Sequence, residues 1–153
     1  MNVTYQDFVT ANGARLRAAL VTAYGPEVGI EAASEALAYG WEHWERLGAM
    51  SNPTGYLYRV GQTAARRGRR PSGYLPSPPP EVLPEFEPRL VPALEQLSEQ
   101  QRVVVVLVRG FQWTQAEVAE LLGVSPSTVH ATLGRAIAHL QKELEVETDD
   151  CRR

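Results

Sequence analysis

The sequence predicts an all-α chain of two small helical domains joined by a proline-rich linker. Three observations lead there. Eight of the eleven prolines fall between Pro71 and Pro92, and such a segment favours extended polyproline geometry over helix. On either side of it, apolar residues recur three and four positions apart, the period of a helix with one buried face. Serine or threonine followed three residues later by an acid or glutamine marks several helix starts. The expected boundaries are 1–70, 71–92 for the linker, 93–147, and 148–153 for a tail.

The first domain reads as three helices. Thr4 and Asp7 hint at a cap, and Phe8, Leu16, Leu20 and Val21 supply an apolar face. Gly25-Pro26 breaks this helix. A second helix runs from about Glu27 to Leu47, with Ile30, Ala33, Leu37, Trp41 and Trp44 on one broad stripe. Asn52-Pro53 opens a third, whose inner positions are Leu57, Val60, Gly61 and Ala64. Its other face carries Arg59, Gln62, Arg66 and Arg67, and Arg69 and Arg70 follow at its end. The linker, PSGYLPSPPPEVLPEFEPRLVP, is semi-stiff and carries Glu81, Glu85 and Glu87.

In the second domain, Ser98 and Gln101 make a capping box before Arg102-VVVVLV-Arg109. Four consecutive valines also suit a buried strand, but the cap and the helical neighbours favour helix. Gly110 ends it. Thr114 with Glu117 makes the next capping box, so a helix starts at Gln115, with Val118, Leu121 and Leu122 inward. Gly123 is placed to end that helix in a left-handed conformation. Ser125 caps the last helix, with Pro126 at the first position, where its missing N–H costs nothing. Val129, Leu133, Ala136, Ile137, Leu140 and Leu144 form its buried stripe. Leu121, Val129 and Leu133 should close a small core with Leu94, Leu97, Val103 or Val104, and Leu107. Two capped helices about three residues apart fit a helix-turn-helix, which places its second helix in the DNA major groove. An ordinary helical hairpin fits the same residues.

Composition narrows the function. Fifteen basic residues face eighteen acidic ones, a net charge of −3. No apolar run approaches membrane-spanning length and no signal-peptide core opens the chain, so a cytoplasmic location without membrane insertion is expected. Cys151 is the single cysteine, which gives no disulfide framework and no thiolate zinc site. His130 and His139 lie nine apart with no third partner, and His43 stands alone. No metal or cofactor is expected. Neither a nucleophile–base–acid set nor a phosphate-cradling glycine loop is present, so the expectation is a non-enzyme.

The run from Val91-Pro92 to Leu140 resembles region four of the bacterial sigma-70 family RNA polymerase sigma factors, in the small extracytoplasmic-function type. Gln101, Arg102, Glu117, Val118, Ala119, Leu122, Gly123, Ser125, Thr128, Val129, Arg135, Ala136 and Leu140 match that family's pattern. Response-regulator domains share its centre, so the first half must arbitrate. There, Gly29-IEAASEALAYG-Trp41 is similar to the second helix of sigma region two, and Tyr56-Leu-Tyr-Arg-Val to its promoter-facing stretch.

The resemblance implies two partners, core RNA polymerase and promoter DNA, and leaves an anti-sigma factor open as a third. It implies that Glu31, Ser34, Glu35 and Leu37 meet the polymerase. Arg59, Gln62, Arg66, Arg67, Arg69 and Arg70 would then face the minus-ten element. Ser127, Thr128, His130, Ala131, Thr132 and Arg135 would face the minus-thirty-five element. Plainer roles stay open: Glu31 and Glu35 as a solvated face, Tyr56 and Tyr58 as packing residues or base-stacking platforms, and Arg135 bridging to Glu117 or Glu120.

The chain departs from the family at His130 and Thr132, where basic residues are usual, and at Thr63 and Arg67, where Asn and Asp are. Gly134 interrupts the recognition helix. From Leu94 to Glu145, Arg102, Arg109, Arg135 and Lys142 face six glutamates, so counterion release gives little drive toward DNA. The expected function is a sigma factor that reads promoters while held by polymerase. The alternatives are a stand-alone helix-turn-helix regulator, or a sigma-like polymerase-binding modulator without promoter recognition.

Overall fold

A computed structural model describes residues 3–68 and 89–150, with side chains described as far as Leu144. Among the described residues every regular element is helical. α1 spans Tyr5–Tyr24, α2 Pro26–Glu42, α3 Trp44–Leu47, α4 Pro53–Arg67, α5 Leu90–Gln96, α6 Glu99–Val105, α7 Gln115–Leu122 and α8 Pro126–Asp150. A π-helical turn, Val106–Gly110, extends α6. Most of the linker, Arg69, Arg70 and Cys151 lie outside the described residues.

The caps act where the sequence puts them. Thr4 with Asp7, Ser98 with Gln101, and Thr114 with Glu117 each make a reciprocal capping box, satisfying backbone N–H groups that a helix start leaves without partners. Ser125 Oγ accepts from the Thr128 N–H at 3.2 Å. Gly25, at φ 87°, turns the chain between α1 and α2. Gly123 closes α7 at φ 68°, the left-handed conformation that glycine adopts without a Cβ penalty. The valine run is helical.

The expected second helix is broken at His43, so the first half holds four helices. The buried stripe of α2 is also not the expected one. Gly29, Ala32, Ala33, Ala36 and Gly40 are buried, whereas Ile30 is exposed and Trp41 is 70% exposed. Small residues face inward because α2 packs close to α1. A Cβ at Gly29 would lie 2.5 Å from the Val21 Cα. The break at His43 turns Trp44 onto Phe8, with ring centroids 4.8 Å apart, and leaves Trp41 pointing outward.

The two halves share one continuous core. Leu16, Leu20, Tyr24, Leu57 and Tyr58 from the first half join Val103, Val104, Leu107, Val118, Leu121 and Val129 from the second. α1 packs on α6, and α4 on α7. Arg102, only 6% exposed, anchors the seam. Its Nε donates to the Thr22 carbonyl at 3.2 Å and its Nη2 to the Ala23 carbonyl at 2.9 Å. Those carbonyls close α1, where a cation also suits the helix dipole. Among the described residues no helix is long and apolar enough to cross a membrane.

Candidate nucleic-acid interface

Three surfaces carry the residues singled out by sequence. The first is the start of α8. Ser127, Thr128, His130, Ala131 and Arg135 are exposed there. Ser125 Oγ lies 3.0 Å from Ser127 Oγ and 2.8 Å from Thr128 Oγ1, so three hydroxyls cluster at the helix entry. Thr132 does not belong to this surface. It is 7% exposed, because it lies three residues after Val129 and four before Ala136, on the edge of the buried stripe. Arg135 forms no ion pair among the described residues. Glu117, its sequence-expected alternative partner, instead accepts from Arg15 Nη1 at 2.9 Å. The Thr114 backbone N–H, and secondarily Arg15, hold the Glu117 carboxyl below its ordinary value.

The second surface is the polar face of α4, with Arg59, Arg66 and Arg67 exposed and Gln62 half-buried. Here the structure adds partners that the sequence did not indicate. Gln62 Nε2 donates to Glu99 Oε1 at 3.3 Å, and Arg66 Nη2 lies 3.7 Å from the same oxygen. That oxygen also accepts from the Tyr24 hydroxyl at 2.7 Å. Arg59 Nη2 sits 2.6 Å from where a Cβ at Gly123 would project. The Asn52 side-chain amide, at the head of α4, donates to the Glu120 carbonyl on α7. Burial, then the bond to Glu99, raises the Tyr24 hydroxyl well above its ordinary value. Tyr58 is buried at 1% exposure, which excludes it as a platform for bases.

The third surface lies on α2. Glu31, Ser34 and Glu35 are exposed and Leu37 is half-buried. Ser34 Oγ donates to the Ile30 carbonyl at 3.0 Å. Glu35 Oε1 accepts from Arg67 Nη2 at 2.6 Å, joining the second and third surfaces through one exposed ion pair. At the end of α2, Tyr39 stacks on His43 with ring centroids 4.1 Å apart. Arg46 donates to the Tyr39 hydroxyl at 2.9 Å and lies over the Tyr56 ring. The sequence signal for this cluster was the four-residue spacing of Tyr39 and His43, which puts both rings on one side of the helix.

A family model described as Sigma-70, region 4 matches residues 89–140. The chain is 33% identical over 159 residues to an RNA polymerase sigma-E factor of Streptomyces coelicolor, covering 97% of this chain and 90% of that one. It is 34% identical over 131 residues to an RNA polymerase sigma-E factor of Streptomyces antibioticus, covering 76% of this chain and 71% of that one. A 51-residue stretch is 45% identical to the ECF RNA polymerase sigma factor SigG of Mycobacterium tuberculosis, covering 33% of this chain and 14% of that one. Among solved structures, the fold matches the sigma factor RpoE, in complex with the anti-sigma factor NepR, from Bartonella quintana. The TM-score is 0.66 at 18% identity, covering 93% of this chain and 97% of that one.

Proposed function

The chain belongs to the sigma-70 family of bacterial RNA polymerase sigma factors, of the extracytoplasmic-function type, and from that premise we propose that it directs initiation at particular promoters. In this reading it is a cytoplasmic specificity subunit with no catalytic chemistry of its own. Residues 1–70 form the unit that binds core polymerase and faces the minus-ten element, and residues 93–147 the unit that reads the minus-thirty-five element. The observation that carries this reading is the family relation over nearly the whole chain.

The site roles follow from exposure and chemistry. Glu31, Ser34, Glu35 and Leu37 offer the polymerase an acidic and polar face with one apolar residue. Arg59, Gln62, Arg66 and Arg67 offer N–H donors to phosphate oxygens, and Arg69 and Arg70 extend that charge in sequence. Ser127, Thr128, His130, Ala131 and Arg135 are the groove-facing set. Arg135 has the fork that pairs with guanine or phosphate.

Because the second half carries little positive charge, its DNA contacts gain from tethering through polymerase. The test is transcription reconstituted with core polymerase, comparing wild type with Arg66→Ala/Arg67→Ala and with Arg135→Ala. The paired variant should retain core binding and lose at least tenfold in promoter-dependent transcript, given the cost of two phosphate contacts. Failure of the wild-type chain to co-purify with core polymerase, with no promoter-dependent transcript, would overturn the reading.

A further inference from the structure

The outward face of α8 offers fewer base-reading groups than its sequence suggests. Val129, Leu133, Ala136 and Leu140 are buried, so the helical period centres Ser127, Ala131 and Gly134 on the opposite face, and all three are exposed. The Ser127 and Thr128 hydroxyls turn back to Ser125 Oγ, at 3.0 and 2.8 Å, and Thr132 is buried. The side chains left to meet base edges are His130, Ala131 and Arg135. Beside Ala131 the surface is open. A Cβ built on Gly134, the next residue along that line, would meet nothing within 4 Å. This glycine costs helix stability and answers no packing need of the fold, so the clearance it makes faces whatever lies against the helix.

The major-groove edges of the bases carry one apolar group, the thymine 5-methyl, and alanine is a side chain that packs on it. We propose that Ala131, given room by Gly134, reads a thymine methyl in the minus-thirty-five element. Ala131 and Arg135 are four residues apart, about 6 Å along the helix, which is close to two base-pair steps of about 3.4 Å. The thymine therefore lies within two base pairs of the Arg135 contact. A long side chain at position 134 would hold the groove away from Ala131. The inference rests on the reading of α8 as the minus-thirty-five helix, and it gives that reading a base preference.

The test starts from a promoter library randomised over the minus-thirty-five element and selected with the full chain bound to core polymerase. The selected duplex is then remade with uracil for thymine at single positions. Uracil pairs as thymine does and lacks only the methyl. One such replacement should weaken binding of the assembled polymerase about three- to fourfold, the worth of one buried methyl. Ala131→Gly and Gly134→Gln should each bring that thymine-to-uracil ratio close to one. Arg135→Ala should weaken binding to both duplexes and leave the ratio in place. Each ratio compares two duplexes with one protein, so a loss of folding in a variant cancels.

A selected element with no thymine on either strand overturns the inference, and so does one in which every uracil replacement changes binding less than twofold. In both cases the promoter reading stands, because the library still yielded a preferred sequence. A full wild-type ratio retained by Ala131→Gly shows that another residue meets the methyl, and also overturns the inference. If the wild-type chain with core polymerase enriches no sequence at all, the promoter reading fails and takes this inference with it.

Discussion

At the scale of single residues, side-chain type mattered less than the room around it. Gly29 and Gly134 are both helical glycines, yet their surroundings are opposite. A Cβ at Gly29 meets the Val21 backbone at 2.5 Å, whereas at Gly134 nothing lies within 4 Å. Gly29→Ala should therefore cost about 1–3 kcal/mol by forcing α2 off α1. Gly134→Ala should gain about 0.5–1 kcal/mol, because it removes only backbone freedom from the unfolded chain. Urea denaturation of the two variants checks both signs, and a destabilised Gly134→Ala would refute the second. Thr132 teaches the same lesson: its place beside Val129 and Ala136 was readable from helical period, but its polar side chain drew it to the DNA-facing set. The matched Arg102 was legible as a family position, and its role as a buried anchor was not.

Among elements, the helices were legible wherever a local hydrogen bond defines them. The two expected capping boxes, the cap hinted at by Thr4 and Asp7, and the glycine turns at Gly25 and Gly123 are formed, since each depends on residues within four positions. Thr114→Ala should cost about 1 kcal/mol, the usual worth of an N-cap, and loosen the helix-turn-helix ahead of global unfolding. Hydrogen exchange at α7 amides checks it.

The same box has a pH dependence. Glu117 is held below its ordinary value, so its contribution is present at neutral pH and is lost as pH falls through that lowered value. Glu117→Gln should therefore be less stable than wild type at pH 7 and converge with it in acid, as denaturation at both pH values would show. The break at His43 and the π-helical turn after Val105 were not legible. The break lets Trp44 pack on Phe8, a contact that is not local in sequence.

For the whole molecule, the proline-rich linker separates two helical domains in the sequence, and the described halves share one core. Their seam includes contacts between residues 68 to 80 positions apart, which no window of sequence can reveal. Arg102→Met keeps volume but removes the two bonds to the α1 carbonyls. It should cost about 3 kcal/mol, as buried charged hydrogen bonds do when one side is removed. It should also split one calorimetric unfolding transition into two. A single, merely shifted transition would mean that the shared apolar core alone couples the halves. Trp41 gives the arrangement a practical consequence. It is 70% exposed while Trp44 and Trp113 are half-buried, and it sits one helical turn beyond Leu37. Its indole is thus an optical label that the chain already carries, and emission quenched by added iodide reports solvent access beside the α2 face without any engineered dye.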